Sequence, residues 1–427
     1  MRRNRNRALC ALLLCAFLLL SAPRAFAQEP ELASQAAILM DAETGQILYE
    51  KNAYEQMYPA SITKILTGLL ALESLDPSEV LIVSQQAVAQ VPRTSSHIGL
   101  GVGEAITAED ALYAIALSSA NDAAVVLAEA VSGSVEVFSE RMNQEAKEIG
   151  AFNSNFVNPN GLPSQQHYTT AYDMALITQR ALQQPDFLRY FGSGAYEMPA
   201  TNLSAARSLV SKNRFIDGEQ SCPGLLFSKT GWTSSAQGTL VTAAKRQGTT
   251  LIAVTLKSPL LTDKYFDTQK LFDYGFDSFY RVTVDDDFVL AQLREQGMGT
   301  NVELENFEPF SFLVSEDVPE EAVRLVVPGG FDPDSGVTTV PVSIVAQDDE
   351  GSFLLLKDML LTLDITREED VEPESLVPDV AAQPHNLGWI PLALMGGVVL
   401  LLLGKWGLDS RKAKSGGEAQ QENAGSQ

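Results

Sequence analysis

Hydrophobic and polar residues alternate or recur at helical spacing along residues 28–276, and this pattern divides the stretch into predicted strands and helices. Two β-hairpins are predicted, at 36–49 and at 239–256, each with a turn between two apolar runs. Between them, apolar residues over 62–72 and 107–116 have the spacing of amphipathic helices. Hairpins at both ends with helices between them predict an α/β domain of the α+β type, whose antiparallel sheet is assembled from both termini.

The pattern changes after residue 276. Residues 277–376 contain five basic and 24 acidic side chains, and short alternating runs such as 337–344 stand between turn residues. We therefore predict a small, acidic all-β domain over 277–370. Residues 371–386, which are rich in Glu and Pro, are predicted to form a linker.

Both ends of the chain resemble targeting segments. Residues 1–27 combine a basic start, a short apolar run and a final Ala-Phe-Ala, which is the pattern of a cleaved signal peptide. Residues 387–404 contain no charged side chain and are followed by basic residues, which predicts a transmembrane helix. The positive flank predicts that the tail, 405–427, faces the cytoplasm, so that the larger part of the chain is exported and anchored in the cell membrane.

Charge and cysteine content exclude several classes of function. The formal net charge is −24, and an acidic surface of this kind repels nucleic acid. Cys10 and Cys15 lie in the predicted signal peptide, so that only Cys222 remains and no intramolecular disulfide is expected. With three histidines and this single cysteine, the sequence predicts neither a metal site nor a cofactor.

Ser61 and Lys64 form the first of three short motifs that carry chemistry. On a helix, residues i and i+3 lie on one face, so the Lys64 amine can reach the Ser61 hydroxyl. A serine becomes a good nucleophile when a neighbouring base takes its proton, and lysine is such a base when its pKa is lowered. The alternative is a capping serine with an exposed lysine one turn later.

The other two motifs are Ser119-Ala120-Asn121, between two predicted helices, and Lys229-Thr230-Gly231, next to the second hairpin. The Ser119 hydroxyl could relay protons, and the Asn121 amide could bind a substrate backbone; the alternative is a capped junction between helices. A lysine and a threonine on a strand suit a substrate carboxylate, and Gly231 permits close approach of a substrate. A second Ser-x-Asn sequence, at 211–213, lies close to the third motif and is not assigned a role.

In this order, the three motifs are the set shared by class A β-lactamases and penicillin-binding proteins. The chain resembles low-molecular-weight penicillin-binding proteins of the serine-type D-alanyl-D-alanine carboxypeptidase family over about 30–370. The resemblance includes further segments: Tyr58-Pro59-Ala60-Ser61, Ser119 to Ala124, Asn158 to Leu162, His167 to Asp173 and Asp273 to Phe276.

This resemblance implies a transpeptidase-like fold, in which helices flank a five-stranded antiparallel sheet. It implies that Ser61 forms an acyl-enzyme with the peptidoglycan stem peptide, that the terminal D-alanine leaves, and that β-lactam antibiotics bind covalently. Roles are implied for further residues: Lys64 as general base, Ser119 as proton relay, Asn121 as ligand of the substrate amide, Lys229, Thr230 and Gly231 at the substrate carboxylate, and the backbone N–H of Trp232 in the oxyanion hole.

Three positions depart from the family pattern. Phe227 stands where the family usually has glycine, and Gln237 stands in place of the glycine of an Ala-Gly pair. Lys264 takes the place of an arginine that often helps to hold the substrate carboxylate, and lysine lacks the bidentate fork of arginine. We expect these departures to change substrate preference or rate and to leave the nucleophile intact.

Other functions are compatible with parts of the sequence. A D-alanyl endopeptidase would use the same machinery. A β-lactamase needs a carboxylate that activates water, yet residues 151–172 contain no Asp or Glu. A catalytically silent wall scaffold is disfavoured by the intact set of motifs. His167 is predicted to be structural, because Lys64 already supplies the base.

Overall fold

Residues 29–296 contain both the helices and the hairpins that the hydrophobic pattern predicts. The computed structural model describes residues 29–296, 302–327, 338–347 and 353–365. The strands of the first range are β1 Ala36–Asp41, β2 Ile47–Lys51, β3 Val80–Ile82, β4 Ala105–Thr107, β5 Ala195–Met198, β6 Arg207–Val210, β7 Leu225–Thr233, β8 Gln237–Arg246, β9 Thr249–Ser258 and β10 Phe279–Val284. Its helices are α1 Lys64–Ser74, α2 Gln85–Ala89, α3 Ala108–Leu117, α4 Asn121–Ser132, α5 Val135–Ile149, α6 Ala171–Leu182, α7 Phe187–Phe191, α8 Asp263–Ser278 and α9 Asp286–Glu295. A 3-10 turn, Ala60–Thr63, leads into α1.

The two predicted hairpins meet in one five-stranded antiparallel sheet. Its strand order is β2-β1-β9-β8-β7. The N-terminal hairpin therefore joins the C-terminal one through the pairing of β1 with β9. The α+β fold with this sheet is confirmed, and β7, which carries the third motif, lies at one edge.

Both faces of the sheet are covered, and the side chains of β1 alternate between them. Ile38 and Met40 pack into the large core formed with the helices. Ala37 and Leu39 pack on the other face with Leu271 of α8. Because successive strand residues point to opposite faces, a strand that is buried on both sides is hydrophobic throughout. This explains why β1 has the sequence AAILMD and not an alternation of apolar and polar residues.

Local signals fix the helix ends that surround the site. Thr107 caps α3 in a capping box with Asp110, as the sequence predicts. The predicted junction between two helices is the short turn from Leu117 to Asn121, where Ser119 has a φ of 53°.

The part that follows α8 is rich in strands, but it is not all-β. Its strands beyond β10 are β11 Val302–Glu305, β12 Phe310–Ser315, β13 Val323–Val326, β14 Thr338–Gln347 and β15 Phe353–Ile365. The all-β prediction is wrong at α9. Asp285 caps this helix, and Val289 and Leu293, which are four residues apart, are buried in the same core. The run of acidic residues hid this helical spacing.

The β-rich part contacts the sheet far from β7. The Arg281 guanidinium of β10 lies 2.9 Å from the buried Asp41 carboxylate. The Gln46 side chain both donates to and accepts from the backbone of Leu313, at 2.8 Å. Because these contacts are at the β1–β2 hairpin, the edge that carries β7 is left open.

Several predicted segments lie outside the described residues: the signal peptide at 1–27, the linker at 371–386, the transmembrane helix at 387–404 and the tail at 405–427. Within the part of the chain that the structure describes, no helix has the length and apolar character needed to cross a membrane.

Candidate active site

Lys64 lies directly beneath Ser61, as the spacing of the first motif predicts. Ser61 is on the 3-10 turn, and Lys64 is the first residue of α1. The Lys64 Nζ is 3.2 Å from the Ser61 Oγ. It also donates to the Asn121 Oδ1 at 2.7 Å and to the backbone carbonyl of Asn160 at 2.6 Å. The side chain of Lys64 is completely buried, so the alternative of an exposed lysine is wrong.

Burial lowers the pKa of Lys64 well below its usual range, and the nearby positive charge of Lys229 lowers it further. Asp122 opposes this shift. A larger fraction of Lys64 is therefore neutral near pH 7 than for an exposed lysine. A neutral amine has two N–H donors and one lone pair. The two short bonds to Asn121 and Asn160 use the donors, so the lone pair can accept from Ser61.

The second motif contributes two groups to the same site. Asn121 begins α4 and contacts Lys64, whereas the Ser119 Oγ accepts from the Lys229 Nζ at 2.9 Å. The left-handed backbone of Ser119 is uncommon for a residue with a Cβ and is typical of functional sites. The second motif is thus hydrogen-bonded to both Lys64 and Lys229. The other Ser-x-Asn sequence does not contact Lys64; Asn213 instead donates to Ser228.

The third motif lies on β7, close to the backbone of Ser61. A Cβ added to Gly231 would be 2.8 Å from the Ser61 nitrogen and 2.5 Å from the Thr239 Oγ1. The Thr239 hydroxyl in turn donates to the carbonyl of Pro59 at 2.9 Å. Only glycine allows the strand and the 3-10 turn to approach this closely.

Lys264 of α8 lies at the third motif, although the sequence places it far away. Its Nζ donates to the Thr230 hydroxyl and, at 3.2 Å, to the carbonyl of Gly231. Burial, followed by the charge of Arg214, lowers the pKa of Lys264 to about 8. Burial, followed by the charge of Lys264, lowers the pKa of Lys229 to about 7.

Residues of all three motifs line an open cleft of about 700 Å³, namely Ser61, Ser119, Lys229, Thr230 and Gly231, and Lys264 lines it as well. Its lining includes four cationic side chains and no carboxylate, although the chain as a whole is strongly acidic. The cleft is therefore suited to an anionic ligand. Sequence analysis missed several of its lining residues: Ser95, Ser96, His97, Arg214, Leu261 and Tyr265.

The segment 95–100 is held against α4 by backbone groups that no motif reveals. The N–H groups of Ile98, Gly99 and Leu100 donate to the Asp122 carboxylate. The Asn121 N–H donates to the carbonyl of Ser96 at 2.9 Å. Asp122, which directly follows the Ser-x-Asn motif, could have indicated this contact. It is buried in the first turn of α4, and a buried carboxylate needs hydrogen-bond donors from another segment.

His167 is a structural residue, not a partner of Ser61. Its Nδ1 accepts from the Val157 N–H at 3.1 Å, so the Nε2 carries the proton and lies 2.9 Å from the Thr63 Oγ1. Burial, with a smaller effect of the Lys64 charge, lowers the pKa of His167 to about 4. The neutral ring ties the loop before α6 to the 3-10 turn.

Of two departures from the family pattern, the structure explains Phe227 but not Gln237. Phe227 is completely buried and packs edge-to-face on Phe187 at a ring distance of 5.2 Å, which places it in the core. Gln237 has a φ of 54°, in the left-handed region that favours glycine. The family glycine is thus replaced where glycine would be least strained.

Neither a metal cluster nor a reactive thiol is part of this arrangement. Within the described ranges, no group of three or more His, Cys, Asp or Glu side chains could hold a metal ion. Cys222 is half-buried, and burial raises the pKa of its thiol to about 11.

Comparisons with known proteins show the family and the fold of this chain. A family model described as D-alanyl-D-alanine carboxypeptidase matches residues 24–259. The D-alanyl-D-alanine carboxypeptidase DacF of Bacillus subtilis is 34% identical over 73% of this chain and 82% of its own length. DacC of Escherichia coli, which has the same enzyme name, is 32% identical over 63% of this chain and 68% of its own length. The crystal structure of penicillin binding protein 6B from Escherichia coli has the same fold, with a TM-score of 0.64 and 21% identity over 79% of this chain and 97% of that one.

Proposed function

Because the chain belongs to the D-alanyl-D-alanine carboxypeptidase family, a family of serine-type peptidases, we propose that it removes the terminal D-alanine of peptidoglycan stem pentapeptides through an acyl-enzyme on Ser61. The observation that carries this proposal is the 3.2 Å separation between the Lys64 Nζ and the Ser61 Oγ. The buried amine has used its donors on Asn121 and Asn160 and is left as a base for the hydroxyl.

Acylation begins when the Ser61 hydroxyl gives its proton to neutral Lys64 and attacks the carbonyl between the two D-alanines. The backbone N–H groups of Ser61 and Trp232 are assigned to the oxyanion, since Gly231 brings β7 against the 3-10 turn. The leaving amine takes a proton, and Ser119 is assigned to relay it. Support for the relay is its position in the cleft and its bond with Lys229.

The substrate carboxylate is assigned to the cationic end of the cleft. Thr230 and Lys264 are in contact there, and Lys229 and Arg214 line the same wall. Arg214 adds a fork-shaped guanidinium close to the position at which lysine replaces the usual arginine. This arrangement favours a substrate with a free carboxylate next to the scissile bond.

Deacylation requires water to attack the Ser61 ester, and a β-lactam is proposed to stall at this stage. Class A β-lactamases activate this water with a glutamate. The residues that line the cleft include no Asp or Glu, so rapid hydrolysis of a β-lactam ester is not supported. We propose slow release of the drug instead.

We also propose that the catalytic part is exported and anchored in the cell membrane by residues 387–404. The support is the signal-peptide pattern at 1–27 and the uncharged segment followed by basic residues near the C-terminus. Externally added protease should digest the catalytic part in spheroplasts and spare the tail. Protection of the catalytic part would contradict the proposal.

The enzymatic proposal is tested with the purified full chain and a synthetic stem pentapeptide. The wild type should release one D-alanine per peptide, and Ser61→Ala should release none while melting at an unchanged temperature. As a matched control, Ser95→Ala removes another hydroxyl of the cleft wall and should retain most of the activity. Release of D-alanine by Ser61→Ala at the wild-type rate would overturn the assignment.

A further inference from the structure

A buried ion pair outside the cleft joins two segments of the chain. The Nη1 and Nη2 atoms of Arg207 lie 2.7 Å and 3.0 Å from the two carboxylate oxygens of Glu104. The side chain of Arg207 is 14% exposed and that of Glu104 only 1%. Neither residue is among those that line the cleft. A bidentate pair fixes the relative position of its two segments, because the planar guanidinium and carboxylate groups match in geometry.

Each oxygen of Glu104 accepts one further hydrogen bond. The Oε1 atom accepts from the Thr201 hydroxyl at 2.8 Å, and the Oε2 atom accepts from the Gly101 N–H at 2.9 Å. Burial opposes the ionisation of Glu104, but these bonds and the Arg207 guanidinium outweigh this effect and lower its pKa. The pair is therefore charged at neutral pH, and both carboxylate oxygens are engaged.

Glu104 ends a segment that forms one wall of the cleft. This segment, 95–104, contributes three lining residues: Ser95, Ser96 and His97. Arg207 contacts the segment a second time, because its Nη2 atom also lies 3.5 Å from the carbonyl oxygen of Gly99. The guanidinium thus holds this wall at two points.

The same wall supports the residue that contacts the proposed general base. The Ser96 carbonyl accepts from the Asn121 N–H at 2.9 Å, and the Asn121 side chain accepts from Lys64. The Asp122 carboxylate also binds the N–H groups of 98–100. A displacement of this wall would therefore move Asn121 relative to Lys64.

Arg207 begins β6, and this strand leads directly into the opposite wall. Four residues that follow β6 line the cleft: Ser211, Lys212, Asn213 and Arg214. The far end of this wall is attached to β7, since the Asn213 side chain donates to the Ser228 carbonyl at 3.1 Å. The second Ser-x-Asn sequence therefore has a structural place in the cleft, and the ion pair connects its wall to the first one.

Apolar packing alone does not fix the position of the β5–β6 hairpin. Met198 and Leu209 anchor the hairpin in the large core, but the hydrophobic effect is not directional. Each strand of the hairpin has only four residues, and an isolated two-stranded hairpin is at best marginally stable. The directional contact between Arg207 and Glu104 therefore determines how this hairpin meets the first wall.

We propose that Arg207 and Glu104 are positioning residues that hold the two walls of the cleft at the separation needed for acylation. They act through Asn121 on one side and through Arg214 on the other, and they touch no reacting atom. This inference rests on the proposed function and adds to it two residues that lie outside the cleft.

The test separates positioning from stability by changing one partner and then both. Arg207→Met leaves the buried Glu104 carboxylate without its cation, so both the melting temperature and kcat/KM for a stem pentapeptide should fall. Adding Glu104→Gln should restore most of the melting temperature, because no unpaired charge is left in the interior. The double variant should still have a kcat/KM about tenfold or more below that of the wild type, because small displacements of catalytic groups slow a reaction strongly.

The separation of the walls is measured directly with nitroxide labels in a protein whose three cysteines are replaced by serine. Thr94→Cys and Lys212→Cys place the labels at exposed positions of opposite walls. Double electron–electron resonance should give a narrow distance distribution with the ion pair intact and a broader one in the double variant. An unchanged distribution, or a wild-type kcat/KM in the double variant, would overturn the proposal.

Arg189→Met is the matched control, since it breaks an ion pair with Glu109 and neither of these residues lines the cleft. This variant should keep both the wild-type kcat/KM and the wild-type label distances. If the wild type released no D-alanine, the proposed function would fail, and the label distances would still decide whether the pair sets the separation of the walls.

Discussion

The Nζ of Lys64 lies 3.2 Å from the Oγ of Ser61, one helical turn earlier in the chain. Both the burial of this amine and the cation at Lys229 favour its neutral form. In the proposed mechanism, the Ser61 hydroxyl and its base are therefore in place before the substrate binds. This arrangement requires no histidine, in agreement with the structural position of His167.

Replacing Lys64 should abolish acylation. Lys64→Gln retains a polar group but cannot accept the proton, so the second-order rate of labelling by a fluorescent penicillin should fall by about a thousandfold or more. Lys245→Met removes an exposed lysine and should label at the wild-type rate. Labelling of folded Lys64→Gln within tenfold of the wild type would show that another group is the base.

The activity should fall at alkaline pH because the site proposed for the substrate carboxylate is built from lysines with lowered pKa values. Lys229, with a pKa of about 7, and Lys264, with a pKa of about 8, lose their positive charge as the pH rises. The value of kcat/KM for a pentapeptide should therefore decrease by at least about tenfold between pH 7 and pH 9, because a group with a pKa of about 8 loses about nine tenths of its charge in this range. In Lys264→Arg the decrease should be smaller, because arginine stays charged. A flat profile up to pH 9 would contradict this assignment.

The stability of the fold should decrease as the pH falls from about 6.5 to about 4. The pKa of His167 is about 4 in the folded protein, so the unfolded chain binds a proton at a higher pH than the folded one. Protonation then favours unfolding, and the free energy of unfolding falls by about 3 kcal/mol between pH 6.5 and pH 4. Urea unfolding at several pH values measures this free energy.

The variant His167→Asn should flatten this slope, whatever its effect on stability at pH 7. As a control, His97→Gln changes a histidine that is not fully buried and should leave the slope in place. An unchanged slope in His167→Asn would assign the acid sensitivity to other groups.

Replacing Gln237 by glycine should stabilise the protein. The left-handed φ of 54° costs a residue with a Cβ about 1–2 kcal/mol, and the greater freedom of glycine in the unfolded chain offsets part of the gain. We expect the free energy of unfolding to rise by about 0.5–1 kcal/mol. Gln237→Ala keeps the Cβ and should not show this gain. Equal stabilities of Gln237→Gly and the wild type would show that the turn is not strained.

Much of the site could be predicted from the sequence because its chemistry depends on short spacings. Ser61 and Lys64 are one turn apart, and Lys229 to Gly231 are consecutive residues of one strand. Their local structures follow from periodicity and turn signals, whereas their roles are implied by the resemblance to the family. The turns of both hairpins predict an antiparallel sheet built from the two termini, whereas its five strands are implied by the resemblance to the family.

The rest of the site depends on contacts that no local pattern contains. The carbonyl of Asn160 accepts from Lys64, and a main-chain atom leaves no compositional signal. Arg214 reaches the cleft from an irregular segment that only the fold brings to α8. The helix α9 was missed because its acidic first turn resembles a solvated surface, although acidic residues stabilise a helix N-terminus.

The most direct test of the Ser61 acyl-enzyme is peptide mapping by mass spectrometry after a short incubation with benzylpenicillin. We predict one penicilloyl ester, on the peptide that contains Ser61, and no adduct in Ser61→Ala. An adduct on another residue, or D-alanine release by a wild-type protein that forms no adduct, would contradict the account.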